Sequence, residues 1–590
     1  MIWITRRANE TQDRPRRKVG CLGGCLIFLA VYFICSAILG WMMGDMFSSS
    51  SVKLEDQTVY RLELKGTLIE QAKEDNPFAG LMGSVPYAGS YTNEETVGLD
   101  NILSNIRLAK NDDKILGIWL DGGDLSAAPA NAKVIRDALL DFKQSGKWII
   151  ASAKNYGQTN YYVASVADRI VLDPTGQVNW NGLAAQKMYY TRAMEKIGVE
   201  MQILKVGTFK SAVEPFFRTS MSDADRKQTQ EYVGGIWSEY KSAVAASRGI
   251  AEDELDQLAD RYMGLQPAKD QVEAGLVDTL VYMQDMDSLL RIYAGTKDYH
   301  LLSTGKLALV KHPESKAKDK VAVVYLEGEI TDETGDGIVG TKVVKLLKKI
   351  RKDDDVKAVV LRVNSPGGSA DASEQIWHAI QNIKSDSIPV VVSMGDYAAS
   401  GGYYISCGAD YIFAEPTTLT GSIGIFGTVP NFNKIRNKVG LDIDGITTNK
   451  HSALSGNAIY KGMNKEEHQL MQTMVERGYD LFTSRCAEGR HVEQDYIKSI
   501  GEGRVWLGNK GVEIGIVDEL GNIDAAIAKA VELAGLESYK LAYYPEKTDP
   551  MAEILKMFDK TTDEERLILK VRDFCSKPRI MALMPEVTIQ

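Results

Sequence analysis

Short, nearly continuous apolar runs alternate with helical periodicity along most of this chain. Between residues 321 and 394 the order is clearest. "VAVVYLEG" (321–328) reads as a strand, and "TKVVKLLKKIRKD" (341–353) as a helix with apolar residues at i, i+3 and i+4. "KAVVLRV" (357–363) is the next strand, "ASEQIWHAIQNIKS" (372–385) the next helix, and "IPVVVSM" (388–394) a further strand. Val/Ile runs without polar alternation, separated by helices, predict parallel strands covered on both faces, and so an α/β fold.

The pattern occurs twice. A shift of about 241 residues lays "ILGIWL" (115–120) on "VKAVVL" (356–361), "KVIRDALLDF" (133–142) on "EQIWHAIQNI" (374–383), and "VEAGLVD" (272–278) on "VEIGIVD" (512–518). "LELKGTL" (62–68) resembles "VYLEGEI" (324–330) at a slightly different shift. The expected organisation is a first repeat over 58–297, a linker over 298–320 that includes the charged "HPESKAKDK", a second repeat over 321–545, and a tail over 546–590. Apolar spacing in 551–575 reads that tail as helical.

One stretch breaks the alternation. Residues 19–44, "VGCLGGCLIFLAVYFICSAILGWMMG", carry no charge. As a helix they span roughly 39 Å, enough to cross a hydrocarbon core of about 30 Å. The basic head 1–18 carries six Arg and Lys residues against two acids. It is expected on the cytoplasmic side, with 45–57 as a juxtamembrane linker and the remainder outside. A buried soluble helix rarely runs so long uncharged. A cleaved signal peptide has a shorter apolar core, about 7–15 residues, and no clean A-x-A site follows here.

The formal net charge of −10 argues against general nucleic-acid binding. Three of the six cysteines lie in the apolar segment, leaving Cys407, Cys486 and Cys575, which is not a disulfide framework. Without a C-x-x-C pair or an H-E-x-x-H motif, neither a zinc site nor another metal or cofactor is expected.

Candidate chemistry gathers where strands end. Ser400, in "YAASGGYYIS" (397–406), follows an apolar strand, where ligands of parallel α/β sheets collect. "NSPGGSA" (364–370) follows the preceding strand. Gly367 and Gly368 there can bring backbone N–H groups close to a ligand. The repeats differ at these points. Opposite Ser400 the first copy has Gln158 or Thr159. Lys210 in "GTFKSAVEPF" (207–216) faces His451 in the second. A serine nucleophile needs a base, and a lysine serves if burial keeps it neutral, a role the apolar neighbourhood of Phe209 could support. His378 lies mid-helix and reads as structural. His451 is an alternative base in the wrong copy.

These motifs, with "TGSIGIFG" (420–427) and "VWLGNKGVEIGIVDELG" (505–521), resemble the long, two-repeat form of the bacterial signal peptide peptidase A family, also called protease IV. The resemblance covers nearly all of 58–545 and includes the N-terminal anchor. It implies two crotonase-like (Clp-protease-like) α/β domains in tandem and a Ser/Lys dyad divided between them, with Ser400 as nucleophile and Lys210 as general base. Ser422 would orient the lysine, and Gly368, with the N–H of Gly401, would bind the oxyanion. It also implies a homotetramer in the bacterial cytoplasmic membrane, acting from the outer face on cleaved signal peptides. "FKSA" and "NSPGG" stand where "YKSA" and "DSPGG" are commoner, and neither change removes a reactive group. Two rival readings are an acyl-CoA enzyme, which needs no anchor and for which no acidic pair lies at the glycine turn, and an inactive membrane scaffold of the same fold.

Overall fold

The apolar runs become the central strands of two parallel sheets, one per repeat. The computed structural model describes residues 53–72, 96–310, 315–335, 337–546, 579–584 and 588–589. The basic head, the apolar segment 19–44 and the stretch 551–575 lie outside the described residues. Among the described residues no helix is long and apolar enough to cross a membrane.

The first sheet has seven strands. Thr96–Gly98, Thr58–Ile69, Ile115–Ser126, Trp148–Tyr156, Arg169–Val178 and Thr279–Leu280 follow in that order, and His300–Ser303 also lies beside Thr58–Ile69; every pairing is parallel. The second sheet repeats the plan, with Lys540–Tyr544, Lys320–Glu327, Val356–Ser365, Val390–Ala399, Tyr411–Ala414 and Glu519–Leu520 as parallel neighbours. Leu419–Gly421 pairs with the last residues of Val390–Ala399, and Val505–Leu507 runs antiparallel beside it. His300–Ser303 therefore belongs to the first sheet, as Lys540–Tyr544 does to the second. The stretch read as a linker from 298 carries this strand, which at four residues is too short to show a period.

Each sheet is covered by helices whose apolar stripes match the sequence pattern. Gly340–Arg351 buries Val343, Leu347 and Ile350, and Ala370–Lys384 buries Ile376, Ile380 and Ile383. These side chains close over Val359, Leu361, Val390 and Val392, each burial worth roughly 1.5–3 kcal/mol.

A third, six-stranded sheet joins the repeats, in the order Ile338–Val339, Ile330–Thr331, Gly367–Ser369, Arg579–Leu583, Phe426–Asn431, Glu200–Lys205. First-repeat strand Glu200–Lys205 pairs antiparallel with second-repeat strand Phe426–Asn431 over its whole length. Where the C-terminal tail is described again, it is not helical. Arg579–Leu583 is a strand between Gly367–Ser369 and Phe426–Asn431, antiparallel to both. "RIMALM" has too few residues to show a period, and its partners are more than a hundred positions away.

The repeats also share a buried polar junction. Arg362 of the second repeat donates from Nε to Glu70 Oε2 of the first at 2.8 Å, and from Nη2 to Asn131 Oδ1 at 2.7 Å. Asn364 donates to Glu70 Oε1 at 2.8 Å, and the Asn131 N–H donates to Asp396 Oδ1 at 2.9 Å. Asn364 thus stands between two carboxylates, Glu70 and Asp396, where an amide can donate and an aspartate would add a like charge.

Candidate active site

Ser400 sits where strand Val390–Ala399 meets helix Gly401–Ser406. Its backbone, φ 55° and ψ −112°, lies where a non-glycine residue is strained, at a cost of order 1–3 kcal/mol that surrounding structure must offset. Two hydrogen bonds hold it: the Ser400 N–H donates to Gly421 O at 2.8 Å, and its carbonyl accepts from the Tyr404 N–H at 2.8 Å. Gly401 and Gly402 follow because the turn is crowded. A Cβ on Gly402 would come within 2.6 Å of Ser365 O.

Lys210 reaches this serine from the other repeat. Nζ lies 2.7 Å from Ser400 Oγ, 3.0 Å from Ser422 O and 3.1 Å from Ser422 Oγ. Lys210, Ser400 and Ser422 are each 0 % exposed. Burial pulls the lysine amine well below the ordinary lysine range, and none of its hydrogen-bond partners is a carboxylate to draw it back. A neutral amine donates its two N–H groups to Ser422 O and Oγ. Its lone pair is then left for the Ser400 hydroxyl. Ser422 also takes a positive φ, 51°, and its N–H donates to Arg504 O at 2.7 Å.

The cover over Lys210 draws on both repeats. The ring of Phe209, the residue before it, lies 4.9 Å from the Arg504 guanidinium. The Phe426 ring, its centre 6.0 Å from Nζ, and the backbones of Gly424 and Gly503 pack against the lysine. That contact comes from a strand of the other repeat, which local sequence does not reveal.

Gly367 and Gly368 have φ of 105° and 154°, and the backbone there needs glycine. Gly367 lies against the start of the serine helix, since a Cβ on it would stand 2.8 Å from Gly401 N. The C-terminal strand covers the same place. That Cβ would be 2.1 Å from Ala582 O, and one on Gly401 3.1 Å from the same oxygen. The Ala582 carbonyl therefore rests against the two glycine segments beside Ser400.

All six residues singled out in the sequence, Lys210, Ser400, Ser422, Gly367, Gly368 and Gly401, stand in this one region. His451 does not; its Nε2 is 3.3 Å from Glu466. His378 is exposed on its helix. Cys407 is fully buried behind the serine helix, its thiol donating to Tyr404 O at 3.2 Å. The corresponding place in the first repeat is closed by its own side chain. Gln158 Oε1 accepts from the N–H groups of Asn181 and Gly182, both at 3.0 Å. Among the described residues no His, Cys, Asp and Glu cluster could hold a metal ion.

Comparison with known proteins identifies the family. Peptidase family S49 matches residues 141–296 and again 382–537, one match in each repeat, and the Clp protease family matches 315–418. Protease 4 of Salmonella typhi is 35% identical over 535 residues, covering 88% of this chain and 85% of that protein. The chloroplastic serine protease SPPA of Arabidopsis thaliana is 27% identical, covering 78% and 69%. A putative signal peptide peptidase SppA of Enterococcus faecium is 34% identical over 235 residues, 35% of this chain and 67% of that one. Two matched repeats, and likeness to a protease along most of both chains, place this protein in peptidase family S49, the serine-type proteases to which the fold and motifs pointed.

Proposed function

We propose that the protein is a membrane-anchored serine endopeptidase that uses a Ser400/Lys210 dyad to degrade cleaved signal peptides and similar apolar peptides. The observation that carries this reading is the 2.7 Å approach of a buried, uncompensated lysine amine to a buried serine hydroxyl on a strained turn. A solvated surface lysine has no reason to be there.

In the reaction, Lys210 Nζ takes the Ser400 proton as Oγ attacks a peptide carbonyl. The carbonyl oxygen becomes an oxyanion held by the N–H groups of Gly368 and Gly401. Collapse of the tetrahedral intermediate breaks the C–N bond, and the Lys210 ammonium protonates the leaving amine. Water, deprotonated by the same amine, then hydrolyses the acyl-enzyme and restores Ser400. Ser422 keeps the amine aimed in both steps through Oγ and its carbonyl.

The substrate class rests on the strand pairing beside Ser400 and on one relative. Arg579–Leu583 lies antiparallel to both Gly367–Ser369 and Phe426–Asn431, the way a peptide is seated by strand addition, and the Enterococcus relative is named for signal peptides. Residues 19–44 supply the anchor, with the head 1–18 in the bacterial cytoplasm and the catalytic repeats on the outer face of the membrane. On the family resemblance alone, the proposed assembly is a homotetramer.

A serine-directed fluorophosphonate tests the dyad on the detergent-solubilised full chain. Labelling of the wild type, lost in folded Ser400→Ala and Lys210→Ala, is the expected result. Labelling that survives Lys210→Ala, or peptide cleavage that survives Ser400→Ala, overturns the dyad, and a folded wild type that neither labels nor cleaves peptides overturns the enzyme in favour of the scaffold.

A further inference from the structure

Lys210 lies on no helix or strand. It belongs to an irregular segment between strand Glu200–Lys205 and the short 3-10 helix Glu214–Phe216. A base on such a segment keeps its aim only if other groups fix its backbone. Gln228, on helix Asp223–Arg248 and 1 % exposed, grips the residue on either side. Its Nε2 donates to Ser211 Oγ at 2.9 Å and to Phe209 O at 3.2 Å. Its Oε1 accepts from the Val505 N–H at 3.2 Å. Val505 opens the strand beside Leu419–Gly421, and the preceding carbonyl, of Arg504, accepts from the Ser422 N–H.

The amide cannot be turned over. Nε2 also faces the acceptor-only Asp225 Oδ1 at 3.1 Å, and Asp225 is held by Lys187 Nζ at 2.6 and 2.8 Å. The second repeat offers an internal contrast. Gln228 is the sixth residue of its 26-residue helix. The sixth residue of the matching 26-residue helix Lys465–Arg490 is Leu470, 47 % exposed. The repeat that lacks the base lacks this brace.

We infer that Gln228 is a positioning residue for Lys210, a single buried amide that ties the base-bearing segment to the strand supporting Ser422. The inference rests on the dyad reading above. Without the amide, the segment loosens, water reaches Nζ, and the amine is both less well aimed and more easily protonated.

The test compares full-length wild type, Gln228→Met and Ser211→Ala, with Lys210→Ala and Ser400→Ala alongside. Each is followed by peptide cleavage and by fluorophosphonate labelling across pH, with thermal denaturation as the measure of folding. Gln228→Met is expected to lower kcat roughly 10–100-fold with KM nearly unchanged, the loss of aim rather than of binding, and to move the rising limb of the labelling profile to higher pH. Ser211→Ala, which removes one tie and leaves the core intact, is expected to move both quantities the same way by less. It decides the matter if Gln228→Met does not fold. A folded Gln228→Met, or failing that Ser211→Ala, with wild-type kcat and an unmoved limb overturns the inference. Activity in Lys210→Ala or Ser400→Ala instead overturns the dyad itself, so the two failures are told apart.

Discussion

Gly503 lies flat against the stem of Lys210. A Cβ placed on Gly503 would stand 2.6 Å from Lys210 Cβ and 2.8 Å from Cδ, at a φ of 77°. The same glycine N–H donates to Ile423 O at 2.8 Å, and Glu502 O beside it accepts from the Phe209 N–H at 2.9 Å. The chain from 501 to 505 is therefore the wall that presses the base toward the serine.

Gly503→Ala tests that wall. The methyl group has no space and the backbone disfavours it, so a loss of about 1–3 kcal/mol in stability is expected. Fluorophosphonate labelling should fall further than stability accounts for, because Lys210 itself is the displaced neighbour. Denaturant unfolding and labelling of the folded fraction separate the two effects.

Lys210 fixes the sign of the pH dependence. Its folded pKa is lowered by burial below the unfolded value. Its contribution to stability is therefore lost as pH falls from the unfolded pKa toward the folded one, and does not change further below it. Activity follows the neutral amine. Labelling should rise with pH along a limb well below the ordinary lysine range, and Lys210→Arg, charged at every accessible pH, should show none.

The repeats are tied by Glu70 and Arg362, an ion pair at 2.8 Å with both side chains 1 % exposed. Glu70→Ala leaves the guanidinium buried without its carboxylate, and a loss of about 3–5 kcal/mol is expected. Replacing both by apolar residues, Glu70→Leu with Arg362→Met, should recover much of it. Equilibrium unfolding of the three proteins measures this.

Two carboxylates near that pair titrate high. Burial, then the charge of Glu70, raises Asp396 to about 6. Burial raises Glu415 to about 7 although Lys133 opposes it. Because these folded pKa values exceed the unfolded ones, the native state binds more protons between about pH 4 and 7. Stability from these groups is present at low pH and is lost as pH rises through that window. Each accounts for on the order of 3 kcal/mol. Glu415→Gln should flatten its share of the slope in thermal unfolding followed from pH 4 to 8.

The C-terminal strand Arg579–Leu583 lies against the glycine segments beside Ser400. A chain ending at residue 578 lacks it. Labelling of Ser400, 0 % exposed in the intact chain, should then quicken roughly tenfold as the accessible fraction rises. An unchanged rate would mean that the strand does not limit access.

Much of this was readable one residue at a time. The valine runs fall within strands 320–327, 356–365 and 390–399; Ser400 and Lys210 stand out because two copies of one pattern differ at those places, and Ser422 only through the family resemblance. Gln228 did not stand out. A glutamine on an amphipathic helix carries no signal of what its amide will meet, and "RIMALM" carries none of the two strands it will join.

Sequence by itself therefore determined the alternating elements, the duplication and the residues able to react, since hydrophobic periodicity and turn chemistry are local properties. Tertiary structure alone decided that a lysine 190 positions away meets the serine. It decided too that Glu200–Lys205 pairs with Phe426–Asn431, and that Phe426 of the other repeat lies over the amine. Those contacts depend on how two finished sheets twist and pack against each other, a relation that no single stretch of chain encodes.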